Sequence, residues 1–316
     1  KPYRSIAIAG SHGKTSTTSI IASIFNAANL SPTYVVGGQV LSVGRSSNLG
    51  DGDYIIVEAD ESDGSFLHLQ PEIAVITNID NDHLSFYDSN QEKLNQSFVS
   101  FAENLPFYGH ILLNLDDSNI RKISKDIHRR QITFGFNLKN RFQITDVKLE
   151  NGLQKFQLTD HINKKQYKFS TNLSGRHNLY NVTAAICVAI EENISVKDIA
   201  KGLADFRGVG RRFEVSKIYF SNHPHMLIDD YGHHPAEILS TVFAAKEKFP
   251  RQKICMIFEP HRFTRTQQLF DDFIKVLSKV DFLLLLDIYP ASENPIKGIS
   301  SKKLASQILK NHKNVH

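Results

Sequence analysis

Apolar positions along the chain fall in short solid runs separated by stretches with a wider, helix-like period. Residues 4–10, Arg-Ser-Ile-Ala-Ile-Ala-Gly, read as a buried strand, and 14–28 carry the spacing of the helix that follows it. Similar runs at 54–57, 73–77 and 111–114, with a helical stretch at 91–103, predict short strands joined by crossovers and hence a mainly parallel sheet. From 131 to 172 the period drops to two, as in 142–147 and 155–158, with a turn at Asn151-Gly152, which predicts an antiparallel appendage. Helical patterning returns at 177–192 and 195–204, where Ser195 is available as N-cap. Past the glycines at 208–210, strands at 226–229, 254–258 and 282–286 alternate with helices at 235–248, 266–277 and 301–309. The pattern predicts an α/β protein of two domains, 1–208 with the large sheet and 209–316 with a second, smaller one.

Composition narrows the class. The 316 residues are 41% hydrophobic and 22% charged, which suits a folded core and opposes wholesale disorder. A net charge of +4 is too small, and Arg129-Arg130 and Lys164-Lys165 too isolated, for a nucleic-acid surface, although an anionic small substrate is compatible with it. Cys187 and Cys255 lie far apart in apolar runs, as in a reducing compartment. The apolar run 282–286 is far shorter than a membrane span, so no membrane insertion is expected.

The chemistry is concentrated after the first strand. Gly10-Ser-His-Gly-Lys-Thr15 stands between strand and helix, where backbone N–H groups can cradle phosphate, Lys14 can reach terminal phosphates and Thr15 can ligate magnesium. The eight-position form of this motif is incomplete, because Ile8 occupies its first glycine position. Two acidic clusters, 58–63 and 78–83, end strands that could flank the loop, where parallel sheets bind ligands. Hard oxygen ligands such as Glu58 and Asp60 suit magnesium better than His83, and a solvated strand-end loop is the bland alternative for either cluster.

Read together, GSHGKT, VEADESDGSFL, TNIDNDH, LPFYG, SGRHNLYN, FRGVGRRFE, DDYGHHPAEI, EPHRFTRTQ and DIYPASENPIKG resemble the Mur ligases of bacterial peptidoglycan assembly over residues 10–298. The resemblance is strongest to the member that joins L-alanine to UDP-N-acetylmuramate. It implies a central P-loop ATPase-like domain, a C-terminal Rossmann-like domain, a bacterial cytoplasmic location, and ATP and Mg2+ as cofactors. It also implies that the family's UDP-binding domain is missing and that the C-terminal domain stops before its last elements. The implied reaction phosphorylates the lactyl carboxylate and lets the alanine amine attack the acyl phosphate.

Residue by residue, the resemblance assigns Gly10, Ser11, His12, Gly13, Lys14 and Thr15 to the phosphates and Thr15, Glu58 and His83 to the metal. His177, Asn178 and Asn181 match the family's adenine-side positions, with a helix-start capping cluster as the alternative. Arg211 and Arg212 would approach phosphate or ribose unless they are merely solvated, and Asp229 and Asp230 match nucleotide-contacting acids. His233, Arg262 and Arg265 fall to the catalytic side, an arginine there being able to clamp a carboxylate, while His234 before Pro235 could simply start a helix. Ser292 stands where the family has glycine, in a loop that could need positive φ. Two rival readings stay open: a ligase adding a whole tripeptide to the same nucleotide sugar, and an inactive ATP-binding remnant.

Overall fold

The computed structural model describes residues 3–42, 44–81, 86–88, 90–310 and 314. Contacts divide the chain into two compact units, Lys1–Asp229 and Asp230–His316.

In the first unit the strands are β1 (Arg4–Ala9), β2 (Thr33–Val40), β3 (Arg45–Asn48), β4 (Tyr54–Glu58), β5 (Ile73–Ile76), β6 (His110–Asn114), β7 (Arg130–Gly135), β8 (Phe142–Glu150), β9 (Leu153–Asp160) and β10 (Lys165–Thr171). They form one sheet in the order β10-β9-β8-β7-β6-β5-β1-β4-β2-β3. Every pair from β8 across to β2 is parallel, whereas β8-β9-β10 and β2-β3 are antiparallel. The expected appendage therefore continues the main sheet instead of standing apart, and Arg130–Gly135 belongs to the parallel part. Its residues Gln131-Ile-Thr-Phe134 alternate polar and apolar like those of an antiparallel strand, which disguised it.

Helices cover both faces: α1 (Lys14–Ala27), α4 (Arg176–Glu191) and α5 (Val196–Asp205) on one, α2 (Gln91–Glu103) and α3 (Ser118–Ile123) on the other. The strand period of two explains the division, since Ile6 and Ile8 of β1 enter the first core while Ala7 and Ala9 enter the second. The hairpin β11 (Glu214–Phe220) and β12 (His223–Asp229) ends the unit as a two-stranded sheet.

The second unit holds α6 (Pro235–Lys248), β13 (Cys255–Phe258), α7 (Phe263–Gln268), α8 (Phe270–Leu277), β14 (Phe282–Leu285) and α9 (Ser301–Ile308), with β13 and β14 parallel. Its core joins Ile238, Val242, Phe258, Phe273, Leu277, Leu283 and Leu304. The single helix expected over 266–277 starts earlier and is broken at Leu269, whose φ of −110° and ψ of 23° leave helical geometry.

Candidate functional site

β1 lies between β4 and β5, so the loop 10–15 is flanked by both acidic strand ends, at the carboxyl edge of the parallel sheet. Gly13 is the N-cap of α1 at φ 84° and no side chain caps the helix. The first-turn N–H groups and the positive end of the helix dipole thus face the loop, an arrangement suited to an anion. A Cβ at Gly13 would stand 2.4 Å from Asn181 Oδ1, so the loop also needs glycine for room.

The loop is splinted from β5. Ser11 N donates to Asn78 O at 3.0 Å and His12 N to Asn78 Oδ1 at 2.9 Å. Thr77 Oγ1 and Asn78 Nδ2 donate to His12 O at 2.7 and 2.8 Å, and Asp80 N donates to Ser11 Oγ at 2.9 Å. The His12 ring is 3.2 Å from Asp80 Oδ2. The backbone N–H groups of Ser11 and His12 are therefore engaged by Asn78 just past β5, and the second acidic cluster shapes the loop. Sequence reasoning missed Thr77 and the amide of Asn78 because it read that cluster only as ligands.

On the β4 side, Glu58 accepts from Gly37 N at 2.8 Å and lies beside the Thr15 hydroxyl. Burial pushes the Glu58 carboxyl above the usual range, against the opposing pull of Gly37, Thr15, Lys14 and Arg212. Arg211 N donates to Glu214 Oε2 at 3.0 Å, and Gly210 N to Gln39 O at 2.8 Å, which seats the 208–212 turn beside β2. Lys14 Nζ lies 2.8 Å from Gly10 O and 2.6 Å from Glu61 Oε2. Glu61 sat within the acidic cluster without a role, since nothing in its spacing distinguishes it from its neighbours.

Asn178 and Asn181 are buried at the start of α4. Asn178 Nδ2 donates to Ser174 O at 2.8 Å and Asn181 Nδ2 to Asn178 Oδ1 at 3.3 Å, while Thr17 Oγ1 donates to Asn181 Oδ1 at 3.3 Å. These residues tie α4 to α1 directly behind the loop; His177 beside them is half-buried. His83 lies outside the described residues.

In the second unit His234 is the N-cap of α6 in a capping box with Glu237, as the helix-entry alternative has it. Asp230 Oδ1 accepts from Gly232 N at 2.8 Å, and His233 Nδ1 is 3.2 Å from Tyr231 O. The His261 ring stacks on Tyr289 at 5.3 Å and stands 6.1 Å from the His233 ring. Arg265, 8% exposed, places Nη1 3.4 Å from His261 Nδ1, and burial followed by Arg265 and Arg262 lowers the His261 pKa. Arg262 is exposed and opens α7 at φ 73°, its N–H bonded to Tyr289 O at 2.8 Å. Ala291 and Ser292 have φ of 47° and 69°, so the loop does use the left-handed region at the serine. Asp229 closes β12 opposite Glu214, in the first unit.

A parallel sheet with a glycine loop at an uncapped helix start and an acid edge on each side defines a phosphate-loop α/β protein. The model of the Mur ligase middle domain matches residues 8–189, and that of the Mur ligase, glutamate ligase domain matches 211–316. The chain belongs to the Mur ligase family. It is 47% identical over 306 residues to the UDP-N-acetylmuramate--L-alanine ligase of Vesicomyosocius okutanii subsp. Calyptogena okutanii, covering 96% of this chain and 65% of that protein. The ligase of the same name from Baumannia cicadellinicola is also 47% identical, covering 96% of this chain and 63% of the relative. The crystal structure of UDP-N-acetylmuramate-alanine ligase MurC from Thermotoga maritima superposes with a TM-score of 0.81 at 25% identity, over 99% of this chain and 66% of that one. The chain thus spans about two-thirds of the length of these relatives. Among the described residues no helix is long and apolar enough to cross a membrane.

Proposed function

We propose that this chain carries the ATP-binding and ligation centre of an enzyme that joins L-alanine to the lactyl carboxylate of UDP-N-acetylmuramate. The observation that carries the reading is the uncapped start of α1 with Lys14 folded over Gly10 and Glu58 against Thr15. The 47% identity to two alanine ligases supports the substrate pair over the tripeptide-adding alternative. On the same reading residues 1–208 form the ATP domain and 209–316 the domain that brings the amino acid.

In this scheme the lactyl carboxylate attacks the γ-phosphate, ADP leaves, and the alanine amine attacks the acyl phosphate. The tetrahedral intermediate then expels phosphate, so no protein nucleophile is required. Lys14 and the first-turn N–H groups of α1 neutralise phosphate charge as it shifts to ADP. Arg262 and Arg265 are assigned to the alanine carboxylate or acyl phosphate, with His233 nearby. Arg211, Arg212, Asp229 and Asp230 are assigned to the nucleotide, and His177, Asn178 and Asn181 to its adenine side. The Thr15 hydroxyl and Glu58 carboxylate are adjacent hard donors, and a cation would offset the burial that disfavours the Glu58 charge, so this pair fits magnesium, with His83 as a further ligand. Magnesium held there would supply electrostatic neutralisation of the phosphates.

Isothermal titration of ATP with and without magnesium, paired with a phosphate-release assay containing UDP-N-acetylmuramate and L-alanine, tests the reading. Magnesium-dependent binding and alanine-dependent phosphate release are expected. Binding without turnover would leave the inactive remnant, and no binding would reduce the relationship to one of fold.

A further inference from the structure

The acidic cluster after β4 contains one carboxylate that differs from the rest. Glu61 is 0% exposed, and its Oε1 has no hydrogen-bond partner among the described residues. Its Oε2 holds Lys14 Nζ at 2.6 Å, while Asp60 Oδ1, on an exposed side chain, stands 3.7 Å from the same nitrogen. The backbone beneath Glu61 is fixed: Tyr87 Oη donates to Glu61 O at 2.5 Å, and Gly64 N donates to it at 3.2 Å. The carboxylate is fully buried on this anchored backbone, so departure of the ammonium would strand an uncompensated buried charge.

We propose that Glu61 is the positioning residue of the phosphate loop, a fixed anchor that keeps Lys14 lying across Gly10 both before and during nucleotide binding. An ammonium has three N–H donors, and Gly10 O and Glu61 Oε2 take two of them, so a phosphate oxygen is approached by the remaining one without release of the anchor. The length of the Glu61 arm sets where the ammonium sits, and its negative charge moderates how strongly a polyphosphate is held. This rests on the nucleotide reading above and adds to it a residue that acts only at the β-phosphate and beyond.

Two substitutions separate arm from charge. Glu61→Gln keeps the shape and removes the charge, so MgADP should bind tighter by about threefold or more. Glu61→Asp keeps the charge and shortens the arm by one methylene, drawing Lys14 back, so MgADP should bind weaker by about threefold or more. AMP, which lacks the β-phosphate, should bind both variants within about twofold of the parent. Calorimetric titration of the three proteins with MgADP and AMP reads this directly. Shifts of the same sign in both variants, unchanged MgADP affinity, or equal shifts for AMP would overturn the proposal in favour of a purely structural carboxylate. If Glu61→Asp does not fold, the sign of the Glu61→Gln shift decides alone. A parent chain that ignores MgADP and AMP alike would instead overturn the nucleotide reading, and this anchor with it.

Discussion

Lys14 shows how far a residue-level pattern reaches. Its position after Gly13 at a helix start is written in the spacing, but the acid that holds it is forty-seven positions away and is met only because β4 pairs with β1. Replacing Lys14 with Ala should weaken MgATP binding by about 10- to 100-fold, the value of one or two charge-assisted contacts. The same change should lower unfolding stability by about 3–5 kcal/mol at pH 7, since it leaves Glu61 buried without its cation. Urea unfolding of Lys14→Ala beside Lys14→Ala/Glu61→Gln checks it, and equal stability of the two would contradict the buried-charge argument. Ser292 is legible in another way: its resemblance-based mismatch with glycine foretold the positive φ that the loop adopts.

At the scale of elements, strongly patterned pieces were readable and weakly patterned ones were not. The expected start of α5 is realised, with Ser195 Oγ accepting from Asp198 N at 3.1 Å. β2 and β3 went unseen: Gly37 and Gly38 interrupt the apolar pattern of the first, and the second is Arg-Ser-Ser-Asn on the sheet edge. Packing of α5 on α1 depends on a contact with no sequence signature. A Cβ at Gly202 would lie 2.5 Å from Ile24 Cα, a backbone atom that cannot yield cheaply. Gly202→Ala should therefore destabilise the chain by about 1–3 kcal/mol despite its higher helix propensity. A thermal melt that rises on this substitution would show that the two helices can separate.

Over the whole first unit, the two edges of the parallel sheet do different work. The carboxyl ends carry the phosphate loop, whereas the strand starts carry an ionic network anchored on the last turn of α4. There Arg4 and Tyr54 bind Glu192, Tyr54 Oη at 2.7 Å, and Arg130 and Arg141 bind Glu191 at 2.6 and 2.8 Å. Burial, then the contact with Glu192, raises the Tyr54 pKa to about 12, so the phenol stays protonated. Among these charges His110 is 7% exposed, its Nε2 lacks a partner among the described residues, and burial followed by Arg130 lowers its pKa to about 4. A histidine depressed from 6.5 to about 4 is neutral in the folded chain. Its contribution is therefore complete above about pH 6.5 and is lost as pH falls toward 4, up to about 3 kcal/mol. Chemical denaturation of the parent and His110→Gln from pH 7 to pH 4 should show the parent losing the greater stability over that window. Parallel pH curves would contradict the assignment.

Local chemistry along the chain was enough to determine the α/β class, the strand-loop-helix start and the acid clusters at strand ends, which follow from period and turn chemistry, properties of neighbouring residues. The Mur ligase family was legible only through the resemblance of the ordered motifs to that family. What only the tertiary structure decided is which strand lies beside which, and hence which side chains meet. The sheet order brings Glu61 to Lys14, Asn78 to His12 and Asn181 to Gly13 across separations no period encodes. Burial then raises the Glu58 pKa and lowers that of His110, because desolvation depends on everything packed around a group and not on its place in the sequence.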